Sequence, residues 1–120
     1  MKISIQTTSG GCTDVFAEVP ETSDAIRLGL AHRTELPADH GMFFVLGAED
    51  DWAFWMCNTR FPLDMIFINA IGDVVGIVKH AQPYDETPRS VGAPSAFVLE
   101  VNGGWADLHG VEIGAKVWFG

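Results

Sequence analysis

Apolar and polar positions alternate from the first residues of the chain, with Ile3 and Ile5 separated by polar neighbours, and again from Thr13 to Val19. This period of two predicts strands, and Thr8-Ser9-Gly10-Gly11 between them predicts a turn, so the chain opens as a hairpin. Pro20 ends the second strand. Thr22-Ser23-Asp24 then offers N-cap side chains for the one long helix the pattern supports, about residues 23–33. On that helix Ile26, Leu30 and Arg33 fall at i, i+4 and i+7, which puts Arg33 on the apolar stripe and predicts an ion pair with an internal carboxylate.

Beyond a Pro37-Ala38-Asp39-His40-Gly41 loop, Met42 to Leu46 reads as a buried strand, and Trp52 to Met56 as another after the acidic turn Glu49-Asp50-Asp51. Pro62 has no N–H for a ladder, so the next strand runs from Leu63 to Asn69 with the proline at its edge. Ile71-Gly72-Asp73 turns the chain into a strand from Val74 to Lys79. The proline-rich stretch Gln82 to Pro94 predicts a long surface loop, the kind of segment that often forms a binding rim. In Ala96 to Val101, Phe97, Leu99 and Val101 share one face while Glu100 shares the other with Val98. A short helical turn near 105–109 and a final strand, Val117 to Phe119, complete the reading. The expectation is one mainly β domain over residues 1–120: a small antiparallel sandwich or barrel-like fold of the β-rich α+β kind, with one main helix.

Composition sharpens this picture. At 120 residues, 48% hydrophobic, with eight Phe and four Trp, the chain has enough apolar mass for a single core. A formal net charge of -9 leaves no basic surface with which to neutralise phosphates, which argues against nucleic acid or an anionic membrane as partner. The acidic groups are scattered and read as a solubilising surface. No apolar stretch approaches the roughly 20 residues of a membrane span. The chain begins directly on strand-like residues. A natural start at Met1 implies the cytoplasm, whereas a leader removed upstream implies export, so the compartment stays open. Cys12 and Cys57 are expected as buried free thiols.

The segment Phe54 to Ile68 is the most informative. An Asn58-Thr59-Arg60 break and the carboxylate of Asp64 interrupt an otherwise core-like run, and polar groups among apolar neighbours must be paired, hydrogen-bonded or functional. With Arg33 and Glu100 they make a candidate cluster of Arg33, Asn58, Thr59, Asp64 and Glu100, beside which Trp55 could stack on a ligand. Two readings share this pattern: a buried ion pair with a supporting network, or a ligand site. A paired-carboxylate hydrolase would need Asp64 and Glu100 about 5–10 Å apart across a cleft. The histidines His32, His40, His80 and His109 have no metal-ligand spacing, Cys57 has no nearby base, and no glycine-rich phosphate loop follows a strand, so neither metal nor other cofactor is expected.

Gly29-Leu30, Arg33, Leu36-Pro37, Gly41-Met42-Phe43-Phe44, Phe54-Trp55-Met56, Asn58-Thr59, Pro62-Leu63-Asp64, Phe67, Pro83, Val98-Leu99-Glu100 and Gly104 together resemble the domain of unknown function 192 family, from about residue 13 to 118. The resemblance implies a small β-sandwich or barrel-like domain with one or two helices, commonly exported or membrane-attached in bacteria and archaea, and without an established activity. Two departures stand out: Ala31 where the family usually has Met, and the lack of an export signal. The family's polar motif positions fall on Arg33, Asn58, Thr59, Asp64 and Glu100, the set already marked by periodicity. The function expected is a non-catalytic binding or accessory domain that takes a small polar ligand, a sugar or a peptide beside Asn58 to Asp64. A hydrolase using Asp64 and Glu100, and a structural or assembly role with another protein as partner, are the alternatives.

Overall fold

A computed structural model describes residues 1–119. Seven strands are present: β1 (Lys2–Gln6), β2 (Cys12–Glu18), β3 (His40–Asp50), β4 (Leu63–Ile68), β5 (Val74–Ala81), β6 (Ser95–Asn102) and β7 (Lys116–Phe119). Two short helices, α1 (Ser23–Leu28) and α2 (Trp105–Leu108), interrupt them. All strands join one sheet in the order β5-β4-β6-β3-β2-β1-β7. Every pairing is antiparallel except β2 with β3, whose parallel alignment requires the crossover that carries α1. The expected opening hairpin is β1–β2, with Gly10 at φ 97° in its turn. The two sheet edges meet only at one end, through an isolated Asp73–Lys116 bridge and hydrogen bonds that link Gly72 and Val74 to residues 114–117. The sheet is therefore barrel-like in curl, but it does not close.

Alternation along the strands divides the core in two. On one face Ile3, Ile5, Val15, Phe43, Ile66, Leu99, Val101 and Val117 pack with Trp105 and Ala106 of α2. On the other, Phe44, Met65, Phe67 and Val98 pack with Leu30, Leu36, Met56 and Leu63 beneath α1 and the long loops. β4 is buried along its whole length, so its two faces serve both clusters.

Three expectations change. The helix predicted over 23–33 stops at Leu28, because Gly29 adopts φ 53°, ψ -131°, a conformation almost confined to glycine. Thr22 caps its start as expected, accepting the Ala25 N–H. The strand predicted over Trp52 to Met56 reduces to one bridge, Phe54 with Arg89, since this segment runs under the 82–94 loop instead of in the sheet. Both cysteines are free, yet Cys12 is exposed and Cys57 only half-buried. No helix among the described residues is long and apolar enough to cross a membrane.

Candidate functional site

The two internal carboxylates lie on neighbouring strands but on opposite faces of the sheet. Asp64 stands opposite Val101 in the β4–β6 pairing, while Glu100 stands opposite Met65. Adjacent residues in a strand point to opposite sides, so Asp64 faces α2 and Glu100 faces α1. A hydrolase with these two groups flanking one substrate is thereby ruled out.

Asp64 is fully buried, and its oxygens are consumed by backbone donors. The His80 and Gly104 N–H groups donate to Oδ1 at 2.9 and 3.2 Å, and the Ala106 N–H donates to Oδ2 at 3.0 Å. The carboxylate thus caps the first turn of α2 from a strand some 40 residues upstream, a turn whose own N-cap, Gly104, has no side chain to offer. It also ties the end of β5 to β4. Both of its oxygens are thus satisfied within the fold.

Arg33 does not reach either internal carboxylate. It pairs with Glu18 at the end of β2, its Nη2 donating to Oε1 at 3.1 Å and its Nη1 to Oε2. The cause is the early end of α1: once Gly29 breaks the helix, Arg33 leaves the Ile26–Leu30 stripe and swings to the rim. The pair, led by the side-chain hydrogen bond, raises the Arg33 pKa and lowers that of Glu18.

Asn58 and Thr59 form a tight, self-bonded corner. Asn58 sits at φ 55° with its side chain in solvent, and its carbonyl accepts the His32 N–H. Thr59 is buried. Its N–H donates to the Met56 carbonyl, its hydroxyl to the Cys57 carbonyl, and its own carbonyl accepts the Tyr84 N–H. The corner joins the α1 crossover to the 82–94 loop.

Glu100 differs from all of these. It is only 4% exposed, yet its carboxyl makes no hydrogen bond among the described residues. Its oxygens are not sealed in, for no wholly buried side-chain polar atom is left without a partner; they open on a cleft of about 260 Å³. Ile26 to Leu30 form one wall, Phe44 and Leu46 line the β3 side, and Trp52 to Trp55 with Cys57 and Thr59 form the other wall. A Cβ at Gly29 would lie 3.5 Å from the Phe44 ring and 3.9 Å from Glu100 Oε1, so the glycine that ends α1 also keeps the space over the carboxyl open. Phe54 meets Phe44 edge-on at 5.0 Å and Phe67 at 6.0 Å, while Trp55 is half exposed at the mouth. Burial pushes the Glu100 pKa up to about 8, with no charged neighbour contributing to the shift.

Of the residues expected at a site, Trp55, Thr59 and Glu100 therefore share this cleft. Asn58 lines a shallower depression next to it, with Trp55, Cys57 and α1. Phe54, Phe44, Gly29 and Leu30, the apolar walls, were not among the residues expected at the site, since an aromatic in a core-like run gives no sign that it borders a cavity. The described residues hold no cluster of three or more His, Cys, Asp or Glu suited to a metal.

Comparison with known proteins agrees on the whole chain. The model of a family of uncharacterised proteins, domain of unknown function 192 (described as Uncharacterized ACR), matches residues 4–119. A solved structure from Novosphingobium aromaticivorans DSM 12444, a protein of unknown function, is similar at 39% identity and a TM-score of 0.93, over 99% of this chain and 84% of that one. Another, a candidate transcription regulator from Sinorhizobium meliloti 1021, is similar at 33% identity and a TM-score of 0.93, over 98% of this chain and 91% of that one. Nothing among curated proteins matches.

Proposed function

This chain belongs to the domain of unknown function 192 family, and we propose that it is a non-catalytic small-ligand-binding domain whose site is the aromatic cleft floored by Glu100. The carrying observation is that carboxyl, buried at 4% exposure without a hydrogen-bond partner at the foot of an open cavity. Folding gains nothing from such a group, whereas a bound ligand would supply its missing partner. The remaining lining, apolar walls with few polar groups, is the usual make-up of a small-molecule pocket, and the volume suits a small one. The polar segment Asn58 to Asp64, the position expected for the site, instead shapes one wall through the Thr59 corner and anchors α2 through Asp64.

A nucleic-acid role fits poorly with a chain of net charge -9. A thermal-shift screen of wild type beside Trp55→Ala and Glu100→Gln, against sugars, nucleotides, amino acids, amines and short peptides, tests the binding reading. A ligand at 100 times its Kd adds about 2.7 kcal/mol, roughly 10 °C for a domain of this size. A shift in wild type that both variants weaken supports the cleft. A panel with no shift, or one unaffected by either change, rejects it.

A further inference from the structure

We propose that the cleft takes small organic amines, the ammonium seated on the Glu100 carboxylate and an apolar or aromatic body lying against Phe44, Phe54 and Trp55. This rests on the cleft being the ligand site and adds the class of ligand.

The argument starts from what the cleft lacks. Glu100 is its only acidic group, it is buried, and none of the described residues donates to it. A neutral carboxyl in the empty site is the form that burial favours, and it leaves both an acceptor and a donor unused. A protonated amine brings up to three donors and a full charge. The carboxyl then gives its proton to solvent and becomes the acceptor of a charge-assisted pair in a poorly solvated site, where such a pair is strongest. Aromatic walls suit the same ligand, since ring faces attract cations and the ring bodies cover its hydrocarbon part. The net charge of -9 favours the approach of cations over anions to the chain as a whole.

Other titratable groups near Glu100 are few. Arg27 on α1 lines the cleft from an exposed position, and Cys57 lines the opposite wall. On the strand side Glu18, Met42, Glu100 and Met65 stand in line across β2, β3, β6 and β4, so the Glu18–Arg33 pair lies two strands away, roughly 10 Å. The Asp85–Arg89 pair belongs to the loop behind Phe54. Arg27 is the one cation at the cleft itself. It sets a limit on size, favouring compact amines that seat deep on the carboxyl over extended polycations.

The test is an NMR titration of the ¹⁵N-labelled protein with benzylamine, benzyl alcohol and benzoate at pH 6, 7 and 8. Benzylamine should move the amides of Gly29, Phe54, Thr59 and Glu100. Because the pair needs the ionised carboxyl, apparent affinity should rise about 50-fold from pH 6 to 8 and level off above that. Benzyl alcohol should bind at least about tenfold more weakly at pH 8 and without that rise, and benzoate more weakly still. Glu100→Gln should abolish both the preference for the amine and the pH slope while keeping a folded spectrum. Equal, pH-independent binding of amine and alcohol at these amides would overturn the amine assignment and leave the cleft as a site for neutral ligands. If none of the three moves these amides at tens of millimolar, the amine assignment and the cleft reading both fall.

Discussion

Replacing Glu100 by Gln should stabilise the protein, and should do so increasingly as pH rises. The folded-state pKa of about 8 stands above the ordinary value of 4.5 that the unfolded chain retains. Between those two values the native state holds a proton that the unfolded state has lost, so stability falls as pH rises through the window and is fully reduced above pH 8. Each pH unit costs about 1.4 kcal/mol, which amounts to about 3 kcal/mol by pH 7 and on the order of 5 above pH 8. At 4% exposure, little solvent screening reduces these figures. Gln has nearly the same shape and never ionises, so it removes the whole pH-dependent term. Urea unfolding of both proteins at pH 4, 5, 7 and 9, followed by tryptophan fluorescence, isolates it, because every other titrating group is common to both and cancels in the difference. The two should be nearly equal at pH 4, and the variant ahead by about 5 kcal/mol at pH 9, or by about 15–20 °C in Tm. A difference that stays constant with pH, or a wild type that is the more stable at pH 9, would refute the placement of Glu100 in a solvent-poor site without partners.

The other carboxylate should behave in the opposite way. Asp64→Asn replaces one acceptor oxygen by an NH2 that must face a backbone N–H, and should cost about 2–4 kcal/mol by chemical denaturation; a loss below about 1 would show that the three donors find other partners. Gly29→Ala forces a side chain into φ 53°, ψ -131° and should cost about 1–3 kcal/mol while narrowing the cleft, so any ligand found by thermal shift should bind it more weakly than wild type. Arg33→Ala breaks an ion pair whose side chains are 39% and 58% exposed and should cost at most about 1 kcal/mol, a loss that added salt mimics in the wild type. Gly76→Ala would set its Cβ 2.3 Å from that of Val91; it should lift the 82–94 loop and show faster amide exchange at Val91 and Arg89 than in wild type.

Much of the fold was legible because alternation leaves a local imprint. The hairpin and β6 carry that imprint, while Pro62 and an apolar run mark β4 and prolines mark the 82–94 loop, and all appear near the positions these signals indicate. What was misread depends on contacts far away in sequence. The apolar spacing of Ile26 and Leu30 looks helical to its end, yet the Gly29 conformation decides where α1 stops, and Arg33 is displaced with it. Trp52 to Met56 has the composition of a strand, but its backbone pairs with Asp85 and Arg89 of the 82–94 loop instead of with the sheet. Strand register is equally silent: alternation places Glu100 beside Val98 on one face, but only the pairing of β4 with β6 reveals that Asp64 belongs to the other.

That register accounts for the different fates of two carboxylates one residue out of step in the same ladder. Both interrupt largely buried strands, and either would be costly to ionise alone. Asp64 emerges on the face where α2 begins, and a helix start supplies unpaired N–H groups at the reach of a short side chain. Its charge is matched from within, and the fold consumes it. Glu100 emerges beneath α1, but the terminus that overlies it is the C-terminal one, marked by Gly29, where exposed carbonyls offer acceptors and no donors. Arg27, the one cation lining the cleft, neither bonds to this carboxyl nor contributes to its shift, so the group is left to be satisfied from outside. The polarity of two short helices is thus what makes one acid a cap and the other a candidate binding group.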